Sequence, residues 1–348
     1  MAVDEINSSG ELGNKKIELA IADDHARMDL EGELTVELIY NQGIVALIGA
    51  INSACTHVSQ LVTIKAQVPQ ITTASTDPSI TRAGNPWIFR ILVDDIQQGR
   101  ALAEYIFNQR GFKKIALMRQ NNRYGKMGIR EIKRIAEEIG CPPVAFEVFN
   151  SGQEDFTAQL QRIKDAGAEA VVIWGLYREA GLITRQMREM GIDIPIFGSD
   201  GLSHPKFLTI AGPASEGVIV TYPFDPARKD SLTQRFVRNF RKRYGQTPDS
   251  YAAHGYDAMY ILKEAIKNAG PYENNREYRK KIRDYIASKR VFQGVTKEIV
   301  FDEMGNDMGD VVLARIIDGE YVPFYKPDVN FFADKQKGHP LYRFLKEF

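Results

Sequence analysis

The stretch GIVALIGAINSACT, residues 43–56, decides the fold of this chain. Its first eight residues form a nearly continuous apolar run, which is typical of a β-strand covered on both faces. Small polar residues follow the run, and a helical pattern is predicted over residues 57–66. A strand that ends in a polar loop and leads into a helix is the repeating unit of a parallel sheet with helices on its faces.

The same unit recurs on both sides of this stretch. Predicted strands cover residues 16–22, 43–50, 69–73, 87–92, 114–119, 144–149, 170–174, 194–198 and 217–222, and the C-terminal strands cover 298–301, 311–317 and 321–324. Predicted helices cover residues 2–7, 30–42, 57–66, 96–109, 126–139, 156–166, 178–190, 205–211, 231–244, 250–269 and 276–288. One sheet of about ten strands is uncommon, so the pattern favours two doubly wound α/β lobes.

Composition excludes several classes of protein. The chain has 348 residues, 44% hydrophobic and 26% charged, which is ordinary for a globular protein. With 45 basic and 45 acidic residues its formal charge is zero, and we expect no nucleic-acid partner. No apolar run reaches the ~20 residues of a membrane helix. Residues 1–10 have no signal-peptide pattern, which indicates either a cytosolic protein or a processed form.

Cysteine and histidine offer no metal site by their spacing. Cys55 and Cys141 lie far apart without a CxxC motif, and the five histidines are scattered. We expect two free thiols, with a single disulfide as the alternative. The acidic stretches at 23–25 and 302–307 match no standard zinc or calcium pattern and are predicted to be turns. No metal and no cofactor is therefore expected.

Two hydroxyl-rich loops follow predicted strands in the N-terminal part. Ser53 lies in the loop after residues 43–50, and Ala74 and Thr76 lie in the loop after residues 69–73. In open α/β sheets ligands bind outside the carboxyl ends of the strands, so these loops are candidate ligand sites. Hydroxyls and free N–H groups at helix starts suit a carboxylate. The alternative for the first loop is plain helix capping by Ser53 or Thr56. The alternative for the second loop is also a helix cap, with Pro78 at or near the first helical position.

Three further candidates follow strands of the second series. Tyr124 comes after residues 114–119, Leu176 and Tyr177 come after residues 170–174, and Asp200 comes after residues 194–198. Surface tyrosines and a turn aspartate are the alternative interpretation. The chain lacks GxxxxGK[ST], a GxGxxG after a strand and GxSxG, so the sequence favours a protein that is not an enzyme.

The chain resembles the type I periplasmic binding proteins, specifically the leucine/isoleucine/valine-binding family of ABC transporters. The matching stretches run in order over about residues 1–325: AVDEINSSGELGNKKIEL, IGAINSACT, ITTASTDPSIT, FRILVDDIQQGRALAEY, NNRYGKMG, GAEAVVIWG, FGSDGL, PDSYAAHGYDAMYILKEAI and the final strand pair. The resemblance implies two lobes, 1–93 with 224–309 and 94–223 with 310–326, followed by a C-terminal extension, 327–348.

The resemblance also implies roles for the candidate residues. Ser53 matches the serine that holds the α-carboxylate of an amino acid, and the Ala74 carbonyl and Thr76 match the loop that contacts its carboxylate and ammonium. Tyr124 matches the tyrosine that closes over the ligand, and Asp200 matches the acidic partner of the ammonium. Leu176 and Tyr177 straddle one further contact.

The implied function is capture of a small amino acid in the cleft between the lobes and its delivery to an ABC transporter permease. The implied location is periplasmic or otherwise extracytoplasmic, with a cytosolic sensor acting through a partner protein as the alternative. A carboxylate or aromatic acid without an ammonium is the alternative ligand. The chain departs from the family in its first strand, which is absent, and this predicts exposed sheet edges in the first lobe.

Overall fold

A computed structural model describes residues 1–332 of the chain. The predicted C-terminal extension begins at residue 327, and its residues 333–348 lie outside the described part. The chain divides into two compact units. Unit 1 comprises Met1–Asp94 and Phe224–Gly309, and unit 2 comprises Asp95–Pro223 and, of the described residues, 310–332. Each unit is an α/β structure with a parallel sheet.

The strands are β1 (Leu47–Ile48), β2 (Gln70–Thr72), β3 (Ile88–Arg90), β4 (Ile115–Gln120), β5 (Ala145–Phe149), β6 (Ala170–Trp174), β7 (Ile196–Gly198), β8 (Ile219–Thr221), β9 (Val291–Gln293), β10 (Glu298–Val300), β11 (Leu313–Ile317) and β12 (Glu320–Tyr325). The helices are α1 (Ala2–Ser8), α2 (Met28–Val36), α3 (Ser53–Ala66), α4 (Ser79–Arg82), α5 (Asp95–Ala103), α6 (Arg123–Glu138), α7 (Thr157–Asp165), α8 (Tyr177–Glu189), α9 (Pro205–Ala211), α10 (Ser231–Tyr244), α11 (Ser250–Asn268) and α12 (Asn275–Lys289). A π-helical turn extends α2 over Glu37–Asn41 and α5 over Glu104–Gln109.

Unit 2 contains a seven-stranded sheet in the order β12-β11-β8-β7-β6-β4-β5. The five strands from β4 to β8 run parallel, and β11 and β12 add an antiparallel pair at one side. Strand β6, the middle one of the five parallel strands, reads AVVIW and is buried along its whole length, because helices cover both faces. Helices α6 and α8 pack on this sheet with strongly amphipathic sequences.

Unit 1 contains a parallel sheet of only three short strands, β1-β2-β3, and a separate antiparallel pair, β9 and β10. Its core depends on helix α11, whose apolar face packs with α1, α12 and the strands. Ile71 in the middle strand is completely buried, whereas both residues of β1 are only half-buried. Strand β1 therefore lies at an edge of the sheet, with one paired side.

The predicted strand over residues 16–22 is wrong. The structure gives this segment no strand pairing, and Leu19 and Ile21 are 56% and 87% exposed. The Ile17 backbone is held by Asn7: its N–H donates to Asn7 Oδ1 and its carbonyl accepts from Asn7 Nδ2, both at 2.9 Å. The physical reason is that a strand needs a neighbour for its backbone hydrogen bonds, and this segment has none among the described residues.

Two smaller differences concern strand length. The predicted strand over residues 43–50 is reduced to Leu47–Ile48, which pairs with β2 only. Strand β9 was not predicted, because three residues directly after a helix carry no visible period. Its direction is set at Arg290, whose φ of 58° turns the chain from α12 back toward β10. The free state of Cys55 and Cys141 is confirmed.

Candidate functional site

In unit 1 the first predicted loop ends where helix α3 begins. Ser53 is the first residue of α3 and is buried. The alternative of plain helix capping does not describe this loop, because the N-cap position is Asn52 and no side chain caps the helix. The Thr56 hydroxyl oxygen lies 3.1 Å from the Ala50 carbonyl oxygen, away from the helix N-terminus.

The second loop, residues 74–79, is held by its own side chains. Ser75 Oγ donates to the Ile51 carbonyl at 2.8 Å. The Asp77 carboxylate accepts hydrogen bonds from the Ser79 N–H at 2.9 Å and the Ser79 hydroxyl at 2.8 Å. Ala74 is half-buried at the start of the loop. Thr76 is completely buried, and its hydroxyl has no hydrogen-bond partner among residues 1–332.

The two loops form one connected cluster. Thr56 Oγ1 lies 2.5 Å from Ser75 Oγ, and His57 Nε2 lies 2.9 Å from Asp77 Oδ2. The His57 ring is oriented from its other side by Gln60, whose amide nitrogen is 2.8 Å from Nδ1. These side-chain contacts link the first turn of α3, which carries Ser53, to the second loop, which carries Thr76. Sequence reasoning missed His57 and Asp77, although Asp77 lies inside the predicted loop.

In unit 2 the fold brings Tyr124 and Asp200 together. The Tyr124 hydroxyl donates to Asp200 Oδ1 at 2.7 Å and accepts the Gly201 N–H at 3.1 Å. It also lies 2.7 Å from Ser199 Oγ. The Asp200 N–H donates to Gln98 Oε1 at 3.1 Å. The carboxylate is therefore bonded to α6 through Tyr124, and the Asp200 backbone is bonded to α5 through Gln98.

Local sequence places Tyr124 at this point. Asn122 caps α6 by accepting the Gly125 N–H at 2.8 Å, which fixes the first turn of the helix. Gly125 packs so closely on the Gln120 backbone that a Cβ there would collide with it. Gly201 likewise leaves no room for a Cβ against the Gly175 carbonyl. These contacts hold the ends of β4, β6 and β7 side by side.

Burial shifts the pKa of both groups upward. Desolvation raises the pKa of Asp200 above its usual value, while the bonds from Tyr124 and Gln98 oppose that shift. Desolvation also raises the pKa of Tyr124 well above 10, and the nearby charges of Asp200 and Asp95 raise it further. Tyr124 consequently keeps its proton at neutral pH and acts as a donor to Asp200.

Leu176 and Tyr177 lie at the end of the neighbouring strand β6. Leu176 precedes α8, and its N–H donates to Gln120 Oε1 at 3.1 Å. Tyr177 begins α8 and stacks on His204, with ring centroids 4.3 Å apart and an interplanar angle of 21°. Both side chains are half-buried. The aromatic ring of Tyr177 thus has a stacking partner within unit 2. That partner, His204, was not assigned to the site from the sequence.

The described residues contain no group of three His, Cys, Asp or Glu side chains placed to hold a metal ion. Within 1–332, no helix combines the length and the apolar character that a membrane crossing requires. The predicted turns are confirmed: Asp23 Oδ1 accepts the His25 N–H at 2.9 Å, and Asp302 Oδ1 accepts the Met304 N–H at 2.8 Å.

This chain has two α/β units with polar loops at the carboxyl ends of their parallel strands, where ligands bind in open α/β sheets. Its fold is that of the type I solute-binding proteins. The family model described as periplasmic binding protein matches residues 1–320. The chain belongs to this periplasmic binding protein family, in its leucine/isoleucine/valine-binding branch.

Individual relatives agree with this assignment. The chain is 31% identical over 305 residues to Leu/Ile/Val-binding protein homolog 1 of Brucella suis, covering 88% of this chain and 80% of that protein. It is 27% identical over 306 residues to the leucine-, isoleucine-, valine-, threonine- and alanine-binding protein of Pseudomonas aeruginosa, with coverages of 88% and 80%.

Solved structures show the same fold. A leucine-binding protein from Thermotoga maritima matches with a TM-score of 0.85 and 27% identity, over 94% of this chain and 92% of that chain. A branched-chain amino acid substrate-binding protein from Streptococcus pneumoniae, in complex with isoleucine, matches with a TM-score of 0.84 and 28% identity, over the same shares. A protein from Desulfitobacterium hafniense that is named as an ABC transporter substrate-binding protein in complex with leucine matches with a TM-score of 0.79 and 28% identity, over 93% of each chain.

Proposed function

We propose that this protein is a non-catalytic solute-binding protein that captures a small amino acid, branched-chain or similar, outside the cytoplasm and delivers it to an ABC transporter permease. Relatives named for leucine, isoleucine and valine support this ligand class. In the proposed mechanism the ligand contacts residues of both units and favours a closed state of the protein.

The observation that carries the proposal is the buried hydroxyl of Thr76. Its neighbours Ser75, Asp77 and Ser79 all have internal hydrogen-bond partners, whereas Thr76 Oγ1 has none among the described residues. A buried polar group without a partner costs about 1–3 kcal/mol, so native proteins rarely retain one without a reason. A ligand carboxylate that accepts this hydrogen bond is such a reason.

The remaining candidates complete a site for a zwitterion. Ser53, at the start of α3, adds a second hydroxyl for the carboxylate, and the Ala74 carbonyl is an acceptor for an ammonium. Asp200 supplies the negative charge, Tyr124 orients that carboxylate, and Leu176 and Tyr177 contact the rest of the ligand. Charge-assisted hydrogen bonds of this kind are the strongest available to such a site.

Calorimetry with the twenty amino acids, benzoate and other simple carboxylates tests this proposal. We expect one site with a micromolar dissociation constant, about −8 kcal/mol, for at least one amino acid. Asp200→Asn should weaken that binding about 10–100-fold, because a hydrogen bond to a charged group contributes about 1.5–3 kcal/mol. Asp193→Asn, at an exposed position of unit 2, is the matched control and should bind normally.

Two outcomes would redirect the proposal. If only acids without an ammonium bind, and Asp200→Asn leaves their affinity unchanged or improves it, the ligand is a carboxylate or aromatic acid. If no amino acid or carboxylate gives heat or a thermal shift, the proposed ligand class is wrong. A sensor that acts through a partner protein would bind the same ligand but would not stimulate ATP hydrolysis by a reconstituted ABC importer.

A further inference from the structure

Arg90, the last residue of β3, has a completely buried side chain. Its guanidinium donates from Nε to Asn306 Oδ1 at 2.9 Å, from Nη1 to the Asp77 carbonyl at 2.6 Å and from Nη2 to Thr81 Oγ1 at 3.1 Å. A guanidinium offers five N–H donors in one rigid plane. Arg90 therefore fixes the mutual positions of every group that it contacts.

The first set of contacts lies in the loop of residues 74–79. Besides the Asp77 carbonyl, Nη1 lies 3.5 Å from the Ser75 carbonyl. These two carbonyls flank Thr76, the residue with the unpartnered buried hydroxyl. One guanidinium thus holds the backbone on both sides of the candidate ligand-binding side chain.

The second set of contacts lies where the chain leaves unit 1. It does so after Asp94 and again after Gly309. The Arg90 Nη2 atom is 3.5 Å from Asp94 Oδ2, and the Arg90 N–H donates to the Gly305 carbonyl at 2.8 Å. The Asn306 side chain accepts from the guanidinium. Asp94, the last residue before one exit from unit 1, and Asn306, three residues before the other, therefore contact the same side chain as the loop.

We infer that Arg90 is a positioning residue that couples the order of the 74–79 loop to the connecting segments at Asp94 and Asn306. The effect of this coupling on ligand affinity rests on the proposed function. A ligand that orders the loop then stabilises one arrangement of the connecting segments. By thermodynamic reciprocity, a change in those segments alters ligand affinity.

Hydrogen exchange of the protein without ligand tests the coupling directly. Asn306→Ala removes the acceptor of Arg90 Nε at a position outside the loop. We expect it to accelerate amide exchange at residues 74–79 about tenfold, within the usual range of such couplings. Asn306→Asp keeps an oxygen acceptor for Arg90 and should restore slow exchange.

Arg279→Met provides the matched control. Arg279 is a buried arginine of unit 1 that donates to the Ile44 carbonyl at 3.0 and 2.6 Å, and it is not bonded to the loop. Its loss should destabilise unit 1 without selective acceleration at 74–79. If Asn306→Ala leaves loop exchange unchanged, or accelerates unit 1 uniformly as Arg279→Met does, the inference is wrong.

Calorimetry with L-leucine adds the functional readout. In the wild-type protein we expect binding, in Asn306→Ala about tenfold weaker binding, and in Asn306→Asp near wild-type binding. If the wild-type protein binds L-leucine but Asn306→Ala does not weaken it, the coupling to affinity is overturned. If no ligand binds at all while loop exchange responds as expected, the proposed function fails and the positioning role of Arg90 stands.

Discussion

The two units use similar sequence patterns and arrive at sheets of very different size. Unit 2 has seven strands in its sheet, and the interior strand β6 is buried along its whole length. Unit 1 has a parallel sheet of three short strands, and the apolar side chains of Leu19 and Ile21 are left exposed. The difference teaches that an apolar, β-prone segment becomes a strand only when a neighbour accepts its backbone hydrogen bonds.

The largest effect should come from the centre of the larger sheet. Trp174, at the end of β6, is completely buried and packs on Gly128 of α6. Trp174→Ala should lower the free energy of unfolding by about 3–5 kcal/mol, because it leaves a large cavity. Leu47→Ala in the half-buried edge strand β1 should cost about 1 kcal/mol. Urea unfolding followed by circular dichroism measures both, and equal losses would remove the contrast between the two sheets.

The second prediction concerns helix α11, on which the core of unit 1 depends. His254 is completely buried there, and burial lowers its pKa from 6.5 to about 4. Between these values His254 binds its proton only in the unfolded chain, so its contribution to stability falls by about 3 kcal/mol as pH decreases from about 6.5 to 4. Burial raises the pKa of Asp257 from 3.8 to about 6, which opposes this trend, since that stability is lost as pH rises.

His254→Gln should therefore leave the Asp257 contribution to the pH dependence of stability unopposed by that of His254. In the variant, the free energy of unfolding should decrease as pH rises from about 4 to 6, because Asp257 then acts without His254. Urea titrations at half-unit pH steps measure the slope. His25→Gln, at an exposed position, should leave the slope of the wild-type protein unchanged. A His254→Gln slope identical to wild type would show that α11 is less buried than described.

The smallest effect should come from the segment over residues 16–22. Asn7→Ala removes both hydrogen bonds to Ile17, and we expect a loss of about 1–2 kcal/mol together with faster amide exchange over the segment. Ile21→Ser, at an 87% exposed position, should change stability by less than about 0.5 kcal/mol. A large loss of stability in Ile21→Ser would mean that the segment is buried in solution. It would contradict the contrast drawn between the sheets of the two units.

Prediction from the sequence succeeded where the signal was local. The helix bounds of α9 and α10 and the strand β6 agree with their predicted ranges, because apolar periodicity and flanking turn residues fix them. The segment over residues 16–22 has an equally good strand pattern, yet it was wrongly predicted. Whether Lys16 to Ala22 pairs with a neighbour depends on distant residues, which a local pattern does not contain.

The sequence by itself determined the α/β class, the family and the loops on which the candidate ligand residues lie, because strand ends and polar loops follow from local order along the chain. Only the tertiary structure decided that Tyr124 meets Asp200, that His57 holds Asp77, and that one arginine joins a loop to two connecting segments. Three of these contacts, His57 with Asp77, Tyr124 with Asp200 and Arg90 with Asn306, join residues that are 20, 76 and 216 positions apart. Such distances are bridged only when the whole unit has folded and the surrounding core fixes each partner.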